Sequence, residues 1–494
     1  MRYSFLPARD RFALRRSRVR EGYATGRQPV NTLMDGSLPE RGSGRSGPGS
    51  RALLILLIGV CALYSMFPIS NGNFFWHIRN GEDIVQSLHI RTTDPFTLTR
   101  QGCEWLQAEW LAEVLLYLPW SLAGGAGVVI LKMAVICTTV LLCLRAARAR
   151  GASPEAAVLV AVVALSVAHG RWIARPHIFT DLFFALYLVV LGRSGRRLSR
   201  DLALILPLQV LWVNLHAGFT MGLFLLGLDV LDPLFSRAWR LLRDRALLLL
   251  ASIAVCGVHP NGYGSIRYTT SFLHQGLFRE SIREWWSPFD PRFQPGHPFS
   301  RTALAFILVC VALVLALVFA RKRLKLSRCV GLAALVAASS FAARNLELLA
   351  LAMIAWIPPL LPRVRAWVPS LLLLLAALVV PLHGIPREFG PPRSPGLGVQ
   401  WDVYPVGLAD FLERNDVTGN VFNSNEIAGY LEYRLGESLP LFMDGRCLLY
   451  PEDLFAEYLV LATAPDSIPA PLQVRLLDEW DINLILTDWP DARG

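Results

Sequence analysis

Charged residues are scarce in this sequence: they make up 17% of its 494 residues, whereas 53% are hydrophobic. Soluble globular domains carry about a quarter of charged residues, so the composition excludes a soluble globule and predicts a polytopic membrane protein. Basic residues outnumber acidic ones and give a formal net charge of +10. Most of them are arginines in loops between apolar segments, and no folded basic domain is present, which excludes a nucleic-acid partner.

Cysteines are few and show no metal-binding pattern. The eight cysteines include no Cys-x-x-Cys pair and no Cys/His spacing typical of structural zinc. Most of them lie in or beside apolar segments, where they are predicted to pack as small apolar side chains. Cys103 and Cys447 are both predicted outside the membrane, where a disulfide between them is one alternative and free thiols are the other.

Long apolar segments dominate what the sequence does contain. About eleven of them approach the length that spans the hydrocarbon core of a bilayer; they lie near 52–69, 124–144, 155–170, 177–192, 202–216, 217–233, 246–259, 302–320, 329–343, 346–361 and 366–383. Arginine and lysine clusters occupy alternate loops, at 145–150, 193–200, 237–245, 321–325 and 363–365. The positive-inside rule makes these loops cytoplasmic. An odd number of spans then predicts a cytoplasmic N-terminus and an extracytoplasmic C-terminus.

Composition shifts divide the chain into four predicted regions. They are a disordered basic cytoplasmic tail at 1–51, a transmembrane domain at 52–383 with outer loops at 70–123 and 260–300, a Pro/Gly-rich linker at 384–398, and a small extracytoplasmic α/β domain at 399–494. Within that last domain, runs at 420–423, 439–444 and 483–487 predict strands, and 405–414, 425–435, 452–462 and 469–480 predict helices. Residues 105–117 predict an interfacial helix with Glu109 and Glu113 on one face.

Ionisable residues gather in the loops of the predicted outer side. Such residues are costly at membrane depth and usually functional. The members that bear on chemistry are His77, Asp94, Glu109, Arg171, Arg175, His177, His216, His259, Glu284 and Arg344. Their one-sided distribution predicts an active site at the outer face.

Several short motifs occur in these same loops. They are Asn73-Phe-Phe-Trp-His77, Thr93-Asp-Pro-Phe96, Glu109-Trp110, Arg175-Pro-His177, Leu211-Trp-Val-Asn-Leu-His-Ala-Gly218, Glu284-Trp285, Arg344-Asn345 and Asp444-Gly-Arg446. With them the chain resembles, over roughly 52–490, a largely uncharacterised family of bacterial polytopic membrane proteins related to the GT-C glycosyltransferases. The resemblance implies a GT-C-like, all-α membrane fold in the bacterial cytoplasmic membrane. It also implies inverting transfer of a sugar from a polyprenyl-phosphate carrier to an acceptor at the outer face.

The implied reaction needs a carboxylate that takes the proton of the acceptor. Where relatives commonly carry Asp, this sequence has Asn73, and an amide cannot act as that base. Either another acid replaces it, Glu109 or Asp94 and after them Glu82, or the protein has lost transferase activity. Structural interpretations remain open for the first two acids, because Glu109 would suit the wet face of an interfacial helix and Asp94 the start of a turn before Pro95.

The leaving phosphate needs cations and hydrogen-bond donors, for which Arg is well suited. The predicted substrate-binding residues are His77, Arg171, Arg175, His177, His216 and Arg344. Each has a structural alternative: His77 as an interfacial anchor, the arginines at 171 and 175 as side chains that reach to lipid headgroups, His216 as a helix cap, and Arg344 as the ion-pair partner of Glu347.

Metal dependence and the overall activity are less constrained by sequence. Glu82, Glu284 and His259 have side chains that could hold Mg²⁺ or Mn²⁺, although their spacing does not demand an ion. A transporter or flippase for a lipid-linked solute is a second functional hypothesis, and a non-catalytic assembly protein of the cell envelope is a third. The predicted partners are the sugar carrier and membrane lipids, with the sugar and the acceptor left open.

Overall fold

A computed structural model describes residues 48–271, 276–293, 300–320, 324–385, 393–462 and 470–487. Most of the predicted basic tail, part of the 384–398 linker and the 321–323 portion of one Arg/Lys cluster lie outside these residues. Described residues after 45 belong to one compact unit.

Helices account for most of the described chain. The first fourteen are α1 Pro48–Ser65, α2 Phe74–Ser87, α3 Trp110–Ala149, α4 Pro154–Ala168, α5 His177–Leu191, α6 Leu198–Leu215, α7 Thr220–Phe235, α8 Trp239–Val255, α9 Gly264–Ser271, α10 Gly276–Ser281, α11 Arg301–Val318, α12 Leu326–Phe341, α13 Leu346–Trp356 and α14 Trp367–His383. Every apolar segment predicted to span a membrane overlaps one of these helices. The described residues include 5 helices long and apolar enough to cross a membrane, and shorter apolar helices such as α5, α12 and α14 accompany them. The fold is therefore that of a multi-pass membrane protein, while the count of about eleven spans stays a prediction.

Helix α3 is broken near its first third. Ala123 and Gly124 have non-helical backbone angles, and Gly124 has a φ of 56°, which favours glycine. The break separates a first part, which begins at Trp110, from the long apolar part that follows. The first part overlaps the interfacial helix predicted at 105–117. Its first turn carries Glu109 and Glu113 to the same edge of the membrane domain.

A buried ion network joins α6, α7 and α8 at the opposite edge, where the sequence predicts only cytoplasmic arginine loops. Arg196 Nε lies 2.9 Å from Asp201 Oδ2, and Arg196 NH1 lies 2.7 Å from Asp229 Oδ2. Arg245 completes the network, 2.7 Å from Asp201 and 3.2 Å from Asp229. Two arginines and two aspartates balance in charge, so they can be buried together at a helix junction.

The C-terminal residues form a small mixed unit of helices and a sheet. They comprise α15 Val406–Arg414, β1 Asn420–Asn423, α16 Asn425–Leu435, α17 Glu452–Ala462, α18 Ala470–Glu479 and β2 Ile482–Leu486, with β1 and β2 parallel. The strand predicted at 439–444 is wrong, because only isolated bridges of Leu441 to Val421 and Thr97 occur there. The Asn423 side chain explains this, since its Oδ1 accepts from the backbone N–H of Phe442 at 2.9 Å and so takes a group that a strand neighbour would use.

Helix α2 lies in the polar half of the first outer loop, where the sequence analysis predicted no helix. Glycines let it approach its neighbours closely: a Cβ at Gly81 would come within 2.3 Å of the Glu113 carbonyl, and one at Gly429 within 2.6 Å of the Gly72 carbonyl. Phe75 of α2 packs on Tyr404 and Tyr430, with ring centroids 4.8 and 5.0 Å away. Helix α2 thus joins α3 to the C-terminal unit.

Candidate active site

A cavity of about 1400 Å³ lies where the starts of α2 and α3 meet residues 260–271, residues 281–285 and the C-terminal unit. Its lining includes Asn71, Asn73, Trp76, His77, Arg100, Glu104, Trp105, Glu109, Glu113, Arg171, Arg175, His177, His216, Arg267, Tyr268, Glu284, Trp285, Arg344, Asn425, Glu426 and Arg446. Single-ligand pockets usually enclose about 300–1,000 Å³. The volume is thus large enough for two substrates at once.

Glu109 sits at the start of α3 in a hydrogen-bonded chain that fixes its orientation. The backbone N–H of Gly218 donates to His216 Nδ1 at 3.0 Å, and the Thr180 hydroxyl lies 2.8 Å from the same nitrogen. Because Nδ1 accepts, the ring proton belongs on Nε2, which lies 3.3 Å from Glu109 Oε1. The Trp212 indole donates to Thr180 Oγ1 at 3.1 Å and completes the chain.

The environment of this pair changes both protonation equilibria. Burial, assisted by the nearby Glu113 carboxylate and opposed by Arg344 and Arg175, raises the pKa of Glu109 to about 8. Burial and the positive charge of Arg344 lower the pKa of His216 to about 3. His216 is therefore uncharged at neutral pH. The pKa of Glu109 lies close to neutral pH, as that of a general base should.

Asn214, two residues before His216, links neighbouring helices through its side chain. Trp110 Nε1 donates to Asn214 Oδ1 at 2.8 Å, and Asn214 Nδ2 donates to the carbonyls of Val210 and Val258. These bonds fasten the first residue of α3 to α6. They hold Glu109, the residue before Trp110, at the cavity wall.

Glu113 lies one helical turn beyond Glu109 and has different partners. Its Oε1 is 3.1 Å from His77 Nδ1, and its Oε2 accepts from Asn80 Nδ2. Asn80 also bonds to Gln107, and all four side chains are buried. Burial and the positive charge of Arg175 hold the pKa of His77 well below its usual value. Glu113 is thereby tied to α2, whereas the Glu109 side chain is 20% exposed.

Three arginines form the cationic wall of the cavity. Arg171 NH1 lies 2.5 Å from Glu284 Oε2, and Arg175 NH1 lies 3.5 Å from Glu284 Oε1. Arg344 stacks its guanidinium over the Trp285 ring, 4.3 Å from the centroid. Glu347, the sequence-predicted alternative partner of Arg344, instead lies 3.4 Å from Arg171 Nε.

The charges of this wall favour an anion. Burial opposes the ionisation of Glu284, but Arg171, Arg344 and Arg175 outweigh it and hold the pKa of Glu284 well below its usual value. Arg344 forms no ion pair of its own within the described part of the chain. Three guanidinium groups therefore face one fully ionised cavity carboxylate, and the surplus positive charge can receive a phosphate through planar, paired donors.

His177 also lines the cavity, but its side chain bonds to the protein. His177 Nε2 lies 2.8 Å from the backbone carbonyl of Arg171, at the first residue of α5. The bond holds the 171–177 segment in its turn. His177 therefore positions Arg171 and Arg175 in this structure.

Asp94 is the predicted site residue that the structure keeps away from the cavity lining. It is 1% exposed. Its Oδ1 lies 2.7 Å from Arg446 NH2, and its other oxygen accepts from Thr97. Arg446 also binds Asp444 through its Nε at 2.8 Å. Asp94 thus joins the first outer loop to the C-terminal unit as a structural ion pair.

Replacing Arg446 with Met is expected to lower stability by about 3–5 kcal/mol, because it leaves the buried Asp94 and Asp444 carboxylates without their cation. The measurement is the thermal unfolding midpoint of the detergent-purified protein. Arg434→Met is the matched control: its partners Asp410 and Glu413 are 35% and 39% exposed, so a loss of about 0–1 kcal/mol is expected. Equal midpoints for the two variants would contradict a structural role for the Asp94 pair.

The structure bears on two further possibilities from the sequence, a metal site and a disulfide between Cys103 and Cys447. The described residues contain no group of three or more His, Cys, Asp or Glu side chains placed to hold a metal ion, so Glu82, Glu284 and His259 do not converge. Cys103 and Cys447 are free thiols.

Sequence reasoning missed the polar residues that support the two glutamates. Asn80, Gln107 and Thr180 carry these hydrogen bonds. Asn80 follows His77 by three residues, so the helical spacing within α2 could have indicated a shared face. Thr180 and Gln107 offered no such signal, because their partners come from distant parts of the chain.

Comparison with known proteins gives a fold and no sequence family. No family model and no curated protein matches the sequence. Solved structures of the Archaeoglobus fulgidus oligosaccharyltransferase do match. Its apo form shares 12% identity over 88% of this chain and 69% of that one, with a TM-score of 0.55.

Two further structures of the Archaeoglobus fulgidus enzyme agree. The complex of archaeal oligosaccharyltransferase AglB with an inhibitory peptide and a dolichol-phosphate gives a TM-score of 0.57 at 11% identity, over 89% of this chain and 69% of that one. The form tethered to an acceptor peptide containing the NVT sequon gives 0.53 at 11% identity, over 88% and 68% of the two chains. This chain therefore has a fold similar to that of the archaeal oligosaccharyltransferase.

Proposed function

We propose that the protein is a membrane glycosyltransferase of the GT-C type that moves a sugar from a polyprenyl-phosphate carrier to an acceptor. The observation that carries the proposal is a single cavity lined by Glu109 and by Arg171, Arg175 and Arg344. A base for the acceptor and cations for a leaving phosphate are the two requirements of such a transfer. The similarity of fold to the archaeal enzyme supports the same class of reaction.

In the proposed step, the acceptor oxygen or nitrogen attacks the anomeric carbon of the donor sugar. Glu109 takes the proton of that nucleophile while the bond from the anomeric carbon to the phosphate oxygen breaks. Its electron pair leaves with the polyprenyl phosphate, whose charge is stabilised by Arg171, Arg175 and Arg344. His216 keeps the carboxylate in place through its Nε2 proton. Attack opposite the leaving group gives inversion at the anomeric carbon.

The proposed orientation follows the arginine-rich loops. The cavity lies at the membrane edge opposite the ion network of Arg196 and Arg245, which belongs to loops predicted to be cytoplasmic. The proposal therefore places the cavity and the C-terminal unit, 399–494, outside the bacterial cytoplasmic membrane, and the N-terminus inside. Cysteine labelling of Arg243→Cys and Glu104→Cys in intact cells, each in a variant whose native cysteines are replaced by serine, would test it. Labelling of the first variant from outside would reverse the orientation.

Turnover is tested by incubating the protein in lipid nanodiscs with a panel of polyprenyl-phosphate sugars. Release of polyprenyl phosphate that depends on Glu109 would support a transferase. Movement of a carrier between leaflets without cleavage would support the flippase hypothesis. Absence of binding to any carrier would contradict the proposal and favour the assembly protein.

The pH profile of transfer gives an independent prediction. Only the ionised Glu109 can accept the proton, so kcat/KM is expected to rise about tenfold per pH unit below the raised pKa of about 8, and to level off above it. His216 stays neutral and Glu284 stays ionised throughout this range. A profile that falls as pH rises from 6 to 8 would contradict this role of Glu109.

A further inference from the structure

The end of the cavity beside the C-terminal unit has a chemistry unlike that of the arginine wall. It is formed by Asn71, Asn73, Trp76, Asn425 and Arg446, which we call the amide end. Close backbone contacts bring its parts together. A Cβ at Gly72 would lie 2.6 Å from the Glu426 carbonyl, and one at Gly445 would lie 2.5 Å from Asn73 Oδ1.

Three amide side chains at this end make no hydrogen bond to the protein among the described residues. Asn73 does not cap α2. Asn71 Nδ2 and Asn425 Oδ1 are buried atoms without a protein partner, as is the indole N–H of Trp76. Buried polar groups are nearly always bonded. The unpaired amide N–H of Asn71, carbonyl oxygen of Asn425 and indole N–H of Trp76 all belong to residues of one cavity lining, and they therefore indicate a ligand that supplies both donors and acceptors.

The amide end carries no surplus positive charge. Arg446 is compensated by Asp94 and Asp444, and it also stacks over the Trp105 ring with its guanidinium carbon 4.4 Å from the centroid. Arg100 and the exposed Glu104 and Glu426 also line the cavity. Carboxylates thus outnumber arginines here, so the amide end lacks the surplus positive charge of the other end and disfavours an anion. A neutral, strongly hydrogen-bonding ligand fits it.

From these features we infer that the amide end binds a saccharide, and that the acceptor of this protein is a sugar hydroxyl. Each hydroxyl both donates and accepts, as does each amide side chain. The inference rests on the proposed function for the reaction itself. The acceptor hydroxyl oxygen bonds to the anomeric carbon of the donor, its proton passes to Glu109, and the bond to phosphate breaks with its electron pair on the phosphate.

This assignment gives a role to Asn73, whose amide cannot serve as a base. Its amide lies against Gly445 at the amide end, where any side chain at 445 would displace it. A carboxylate would only accept hydrogen bonds, whereas the amide both donates and accepts. Asn73 is thus a specificity-determining residue in this proposal.

The test measures binding of short neutral oligosaccharides, without any donor, to the full-length protein in nanodiscs. A glycan array identifies the tightest binder and titration gives its Kd; a library of capped peptides is measured in parallel. The Asn71→Ala/Asn425→Ala variant is expected to weaken saccharide binding about tenfold, through the loss of two neutral hydrogen bonds. Asn415→Ala, the same substitution at an exposed residue away from the cavity, is expected to change nothing.

Three outcomes would overturn the inference. They are the absence of saccharide binding, saccharide binding that the double variant leaves unchanged, and peptide binding that the double variant weakens. Unfolding of the double variant is checked by its thermal midpoint, and Asn73→Ala then serves as a second variant with the same expectation. Saccharide binding in a protein that releases no polyprenyl phosphate would sink the proposed reaction and leave the saccharide site intact.

Discussion

Replacing Glu109 with Gln is expected to lower the rate of sugar transfer by about 100- to 10,000-fold, which is the usual contribution of a positioned general base. Gln keeps the size of the side chain, and its carbonyl oxygen can still accept a hydrogen bond from His216 Nε2. Only the capacity to remove a proton from the acceptor is lost. The effect should therefore fall on kcat, with little change in the affinity for the carrier.

The measurement is single-turnover transfer in nanodiscs, with carrier binding measured separately. Glu104→Gln is the matched control: Glu104 also lines the cavity, is exposed, and has no assigned role. We expect it to leave the rate within about twofold of wild type. If Glu109→Gln transfers sugar as fast as this control, the base is another residue.

The second large effect is expected for Arg344→Gln, in the affinity for the polyprenyl-phosphate carrier. A hydrogen bond to a charged group is worth about 1.5–3 kcal/mol, or roughly a 10- to 150-fold weaker Kd when it is lost. Arg344 suits this test better than Arg171 or Arg175, because those two hold Glu284 and their removal disturbs the cavity wall. Arg344 contacts the ring of Trp285 and pairs with no carboxylate of the described chain.

Carrier binding is measured with a non-hydrolysable phosphonate analogue and with the dephosphorylated polyprenol. Arg344→Gln should weaken the first and leave the second unchanged. Arg267→Gln is the control, since Arg267 is an exposed arginine on the same cavity and is expected to shift the Kd by less than about threefold. Equal losses for the phosphonate and the polyprenol would show that Arg344 acts on the fold and not on the phosphate.

Much of the architecture could be predicted from local patterns. The apolar segments coincide with helices, and α15 to α18 lie close to the predicted boundaries. The failures come from distant contacts. Helix α2 was missed because it carries both apolar and polar buried residues and is covered by α3 and α16, which are distant in the sequence. The 439–444 segment is not a strand because Asn423, an earlier residue, occupies the backbone groups of 442 and 443.

In the candidate site, too, local sequence patterns identify the candidates and contacts between distant segments decide among them. Glu109 and Asp94 are acidic residues of one outer loop, and the sequence left the choice between them open. The structure buries Asp94 against Arg446 and leaves Glu109 at the cavity wall beside His216. The position of Arg446, far along the chain, decides which acid is available to a substrate.

The sequence by itself determined the membrane class, the apolar helices and the side of the membrane on which the polar residues are predicted to gather. These properties depend on composition and on spacing within a turn or a span, which neighbouring residues fix. Only the tertiary structure decided which of those polar residues share a cavity, which are neutralised in ion pairs, and which amides remain unbonded. Charge and hydrogen-bond partners act over a few ångströms in space, so the pairing of segments far apart in the chain had to be known first.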